Sequence, residues 1–127
     1  MFSFYDQKEI GLVVNEGVKL LELAEKMKDT SKVLIQCRPE AVRADQVLFT
    51  DREIIYVQAK DLAGHNESAA VLPYQSVLSF AVETAGGLMG ESGLRLDLLN
   101  GKSVTFRFKG KADVTGLASA IRKIIRI

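Results

Sequence analysis

The sequence predicts a mainly β (α+β) fold: a partly open antiparallel barrel of seven short strands, capped by a C-terminal helix and preceded by an N-terminal helix. Three observations carry this. Between Lys32 and Lys109 apolar residues recur with a period of two in short successive runs. Turn-forming residues separate the runs, leaving no room for the long crossovers that parallel strands need. After Gly110 the period returns to that of a helix, and an amphipathic helix at the end of a curled sheet is well placed to cover its open end.

The N-terminal helix is expected over roughly Asp6 to Lys28. Asp6 and Glu9 have the spacing of a capping box, and Ile10, Val14, Gly17, Leu21 and Ala24 fall on one helical face. Gly11 and Gly17 each cost such a helix about 1 kcal/mol relative to alanine, so a break is expected near Val14-Asn15. In the first strand Val33, Ile35 and Cys37 alternate with polar or opposite-face residues until Pro39. Val47 and Phe49 mark the second, Asp51-Arg52 a tight connection, and Ile54 to Ala59 the third. Ala69 to Leu72 is a short fourth strand that ends at Pro73, which cannot donate to a ladder. Pro73-Tyr74-Gln75 makes a corner, and Leu78, Phe80 and Val82 form the inward set of the fifth strand. Leu94, Leu96 and Leu98 are followed by Asn100-Gly101 and then by Val104, Phe106 and Phe108. This reads as a hairpin with a type I′ turn, positive φ at both central residues. Asp113 is the expected N-cap of the last helix, whose apolar stripe includes Val114, Leu117, Ile121 and Ile124.

With 127 residues, 47% apolar and 26% charged, the chain is expected to form one domain over 1–127: a helical segment at 1–30, strands at 31–110 and a helix at 111–127. No apolar run approaches the roughly 20 residues of a membrane span, and no leader is evident, so a cytoplasmic location is expected. One cysteine, Cys37, and one histidine, His65, exclude an internal disulfide and a Cys/His zinc set. The net charge of +1 hides an asymmetry, with +6 over residues 102–127 and −5 over the remainder. The basic end is either a solvated helix face with charged strand edges, or a surface for an acidic partner such as part of a neighbouring copy.

Two stretches resemble the bacterial pleckstrin-homology-like domains: Leu48-Phe49-Thr50-Asp51-Arg52-Glu53-Ile54-Ile55, and the run from Leu72-Pro73-Tyr74 through Phe80-Ala81-Val82-Glu83-Thr84-Ala85-Gly86. The resemblance spans residues 32 to 127. It implies a pleckstrin-homology-like, partly open barrel with no known chemistry, no cofactor, a tendency to cyclic homo-oligomers and a protein-binding role. At positions matching the motifs, Thr50, Arg52, Tyr74, Glu83 and Thr84 are the expected partner-facing residues. Phospholipid-binding pleckstrin domains place a basic cluster around their first turns. Arg38, Arg43 and Arg52 are the counterparts here and define an alternative reading, an anionic lipid headgroup site.

No catalytic constellation emerges. His65 has no triad or metal-motif partners, and Cys37 at an inward strand position reads as a small buried hydrophobe. Gly86 to Gly93 lacks the Lys-Ser/Thr ending and following helix of a phosphate loop, and Asn66-Glu67-Ser68 marks an exposed loop. Tyrosines are not interleaved with basic residues, so no nucleic-acid partner is expected. The strand with Ile54 and Tyr56 on one face and Ile55 and Val57 on the other needs two cover layers, one expected from the N-terminal helix. Leu34, Leu48 and Leu99 also fall opposite their strands' main apolar sets.

Overall fold

The computed structural model describes residues 2–60, 64, 66–84 and 90–125. The expectations for His65 and for residues 86–89 therefore lie outside the described part. The elements are β1 (Glu9–Val14), α1 (Glu22–Lys28), β2 (Val33–Pro39), β3 (Gln46–Thr50), β4 (Glu53–Gln58), β5 (Ser68–Pro73), β6 (Val77–Glu83), β7 (Ser92–Leu98), β8 (Ser103–Lys109) and α2 (Val114–Ile125). Single 3-10 turns occupy Phe4–Asp6 and Tyr74–Ser76.

The helix expected over Asp6–Lys28 is shorter and starts later. Its first half is a strand, and the sheet accordingly has eight strands rather than seven. Ile10 and Leu12 alternate inward at a period of two, β-branched Val13 and Val14 favour extended backbone, and Gly17 sits at φ 82°, where a helix cannot continue. The strand order is β5-β4-β3-β2-β1-β8-β7-β6, so β1 lies between two meanders that each run through consecutive strands. It pairs antiparallel with β2, Val14 opposite Cys37, and parallel with β8, Ile10 opposite Phe106 and Leu12 opposite Phe108. That single parallel pair departs from the all-antiparallel expectation, and the intervening chain from β2 to β7 supplies its long crossover.

Between β5 and β6, the two ends of this linear order, the chain passes through only Tyr74–Ser76. The sheet must therefore curl until its ends approach at that corner, which gives a curled, open half-barrel rather than a flat sheet. The interior is filled from both meanders and from α2: Phe49 packs edge-on against Phe106 (5.1 Å) and Phe108 (5.1 Å), with Leu117 and Ile121 of α2 in the same cluster.

A second apolar layer lies on the outer face of β3, β4 and β5, where Leu48, Ile55 and Val57 are covered by Ala24, Leu23 and Met27 of α1. β3 and β4 are thus buried on both faces, and the expected cover from an N-terminal helix is met by these two turns alone. Buried glutamines fasten the segment leading into α1. Gln46 accepts from the Leu21 amide (2.8 Å) and donates to the Lys19 carbonyl (2.9 Å); Gln36 donates to the Val18 carbonyl (2.7 Å). Glu67 accepts from the Leu23 amide (3.0 Å), one of the unpaired donors of the first helical turn.

Two turn expectations meet different outcomes. Asp113 caps α2 as expected: its Oδ1 accepts from the Gly116 amide (2.9 Å) and the Thr115 hydroxyl (2.9 Å), and these bonds hold its carboxyl below the usual range. The β7–β8 turn is not type I′, because only Gly101 takes positive φ (85°). Asn100 instead accepts from the Lys102 amide with its side chain (3.0 Å).

Candidate interaction surface

The two motif stretches meet at one corner of the half-barrel. Thr50 Oγ1 accepts from the amides of Arg52 (3.1 Å) and Glu53 (3.0 Å) and donates to the Glu53 carbonyl (2.9 Å), closing the β3–β4 turn. The Tyr74 hydroxyl donates to the Thr50 carbonyl (2.7 Å), and its amide to the Arg52 carbonyl (3.4 Å). Thr50 and Tyr74 are fully buried, so these two of the five expected partner-facing residues do not reach the surface; their polar groups are engaged in holding the turn against the corner. Arg52 is exposed at the turn, and Glu83 and Thr84 are exposed at and just beyond the end of β6.

β6 is an edge: β7 pairs with one side of it and no described strand with the other. It has no Lys, Arg or Pro of the kind that usually protects an edge, and most of it is exposed, including Leu78 (65%) and Val82 (39%). The sequence pattern placed Leu78 inward with Phe80. An irregularity in the pairing between Val77 and Ser79 turns it outward, and nothing in the local pattern announces such a bulge. The opposite edge, β5, has no charged residue and ends in Pro73, and α1 covers its outer face.

The three arginines of the alternative reading do not form one cluster. Arg38 is half-buried on β2 and donates to its neighbour's carbonyl, that of Pro39 (3.2 Å); Arg43 is exposed in the β2–β3 connection. Arg52 lies at the far end of β3, whose five residues span about 17 Å at a strand rise of about 3.4 Å per residue. That separation exceeds the reach of a single phosphate group.

Part of the basic end is paired within the chain: Arg107 with Glu9 (2.7 Å) and Lys109 with Glu40 (2.9 Å), the latter bond raising the Lys109 pKa. Arg122 and Lys123 are exposed on α2 and make no ion pair among the described residues. Cys37 is fully buried in the interior cluster. Burial, with the Glu16 charge second, pushes its thiol well above the ordinary value, which removes the thiolate a nucleophile requires. Among the described residues no group of three or more His, Cys, Asp or Glu side chains is placed to hold a metal ion, and no helix is long and apolar enough to cross a membrane.

This architecture, a curled sheet of two meanders capped by a C-terminal helix, defines a pleckstrin-homology-like domain. Residues 39–125 match the family model for the bacterial PH domain, and the chain belongs to that family. It is similar to the uncharacterized protein YozO of Bacillus subtilis (28% identity over 82 residues, 65% of this chain and 70% of YozO). A second relative in that organism is the uncharacterized protein YjqA (35% over 52 residues, 41% of this chain and 42% of YjqA). The crystal structure of a DUF1696 family protein with a pleckstrin-homology domain from Shewanella loihica superposes with a TM-score of 0.61 at 24% identity, covering 91% of this chain and 97% of that one. A pleckstrin homology domain from Shewanella amazonensis gives 0.52 at 24% identity, covering 87% of this chain and 91% of that one. At these identities the structural likeness establishes the fold.

Proposed function

We propose that this chain is a non-enzymatic, cytoplasmic interaction module that assembles with further copies of itself and presents its motif corner to a protein partner. The observation that carries the reading is the β6 edge: seven residues, with no described strand on one side, no Lys, Arg or Pro against strand addition, a single charge at its last residue, Glu83, and Val82 exposed. A second copy is the favoured occupant because each copy carries both a β6 edge and a β5 edge. Pairing of one with the other is a head-to-tail contact, which closes into a ring when the rotation allows it. In this reading Arg52 at the corner and Glu83 and Thr84 at the other end of β6 face the partner, while Thr50 and Tyr74 hold the β3–β4 turn that carries Arg52.

The test is solution mass by multi-angle light scattering at low and high salt, on the native chain and on Val82→Lys. A multimer that Val82→Lys converts to monomer, with an unchanged circular dichroism spectrum, supports the reading. A native chain that is monomeric at both salts overturns it. Loss of the multimer in high salt alone assigns the contact mainly to charge, and retention assigns it to the strand edge.

A further inference from the structure

Of the three asparagines in the sequence, Asn100 alone precedes a glycine; Asn15 and Asn66 each precede a glutamate. The pair Asn100-Gly101 stands in the β7–β8 turn, where Asn100, Gly101 and Lys102 are all exposed. Glycine brings no side chain to shield its own amide nitrogen, and a Cβ at Gly101 would meet nothing within 4 Å. Solvent therefore reaches this peptide bond and the carboxamide beside it.

Two hydrogen bonds act on the pair in opposite directions. The Lys102 amide donates to Asn100 Oδ1 (3.0 Å), which polarises the side-chain carbonyl and stabilises negative charge developing on that oxygen. The Gly101 amide donates to the Leu98 carbonyl (3.0 Å), which retains the proton that must leave before the nitrogen can attack. We propose that Asn100-Gly101 is a site of spontaneous succinimide formation gated by the turn. The closed turn activates the electrophile and withholds the nucleophile; opening of the Gly101–Leu98 bond releases it.

In the open turn hydroxide removes the Gly101 amide proton, the nitrogen bonds to Asn100 Cγ, and the Cγ–Nδ2 bond breaks as ammonia leaves with a proton taken from water. Water then opens the five-membered imide. Opening at Cγ leaves aspartate at position 100, which keeps an oxygen for the Lys102 amide. Opening at the main-chain carbonyl leaves isoaspartate, whose backbone runs through Cβ and Cγ and is longer by one carbon. Both flanks of the turn are tied: the Leu98 amide donates to the Lys102 carbonyl (2.8 Å), and the Leu99 amide to the Ser76 carbonyl (2.9 Å) at the corner between β5 and β6. The added carbon strains these ties, so isoaspartate loosens the turn from the corner where the two ends of the sheet approach. The proposal is independent of assembly through the β6 edge.

The test is incubation of the full chain at mildly alkaline pH, folded and in guanidinium chloride, followed by mass mapping of the tryptic peptide Leu96–Lys102 and an isoaspartyl methyltransferase assay. Conversion is expected at Asn100 and not at Asn15 or Asn66, with a rate that rises with hydroxide. It should be at least about tenfold slower in the folded chain than in denaturant, the equivalent of about one backbone hydrogen bond. The isoaspartate form should unfold at a lower temperature than Asn100→Asp, which carries the new charge without the extra backbone carbon. No conversion at Asn100 in either state, earlier conversion at Asn15 or Asn66, or a folded rate equal to or above the unfolded one would each overturn the proposal. An isoaspartate form as stable as Asn100→Asp would overturn the loosening assigned to it.

Discussion

The Tyr74 hydroxyl donates to the backbone carbonyl of Thr50 across 2.7 Å, and both residues are fully buried. Together with the bond from the Tyr74 amide to the Arg52 carbonyl, it joins the β3–β4 turn to the short connection between the two ends of the sheet, where the half-barrel closes. Tyr74→Phe keeps the ring packing and leaves a buried carbonyl without its donor, at a cost of about 1–3 kcal/mol. Thr50→Val removes the acceptor for two turn amides and should cost a similar amount. Both should appear as lower urea midpoints with unchanged m-values. A Tyr74→Phe midpoint equal to that of the native chain would show that the corner is held by packing alone.

Three buried acids titrate only when the chain opens. Burial raises the pKa of Cys37, Tyr56 and Tyr74, with the Asp45 charge and hydrogen bond adding to the effect at Tyr56. Their folded forms stay protonated where the unfolded forms release protons, near pH 8.5 for cysteine and 10 for tyrosine. The unfolded state then binds fewer protons, so stability is full below about pH 8 and falls as pH rises, by up to about 1.4 kcal/mol per unit per titrating group. Urea midpoints at pH 7, 9 and 10.5 check this. A flat profile refutes it.

The same burial makes Cys37 unreactive. A thiol reagent at pH 8 should label the folded chain at the rate of global or sub-global opening and label it fully in denaturant. Rapid stoichiometric labelling of the folded protein would be incompatible with the interior placement of Cys37.

Gly101 and Gly110 both take positive φ, 85° and 97°, but their surroundings differ. A Cβ at Gly101 would meet nothing within 4 Å, whereas one at Gly110 would lie 3.4 Å from Val14 Cβ. Gly101→Ala should therefore cost about 1 kcal/mol, from backbone conformation alone, and Gly110→Ala at least as much. Gly101→Asn should recover part of the loss because asparagine tolerates the left-handed region. Thermal unfolding resolves these differences at roughly 3–6 °C per kcal/mol for a chain of this size.

Period-two alternation made β2 to β8 legible, because each strand has one face on the interior, and Asp113 announced the start of α2. β1 was hidden because Ile10, Val14, Gly17, Leu21 and Ala24 satisfy a helical spacing over a stretch that is really a strand, a glycine turn and a short helix. The deciding fact is tertiary: a vacant place between β2 and β8, to which no local pattern refers. The candidate surface was legible in part. Motif resemblance found the corner, but Thr50 and Tyr74 belong to its interior, a distinction made by hydrogen bonds between stretches over twenty residues apart. Leu78 and Val82 were counted as core because alternation cannot tell an edge strand from a central one.

The place of β1 also governs when the chain can fold. During synthesis β1 emerges well before its parallel partner, Thr105 to Lys109, because β2 to β7 must all be made in between. The first meander can gather around β1 early, and it must then hold β1's second edge open until β8 leaves the ribosome. Closure of the half-barrel therefore waits for β8 and has high contact order, and a nascent chain paused before β8 presents a central strand's hydrogen-bonding groups as a vulnerable edge.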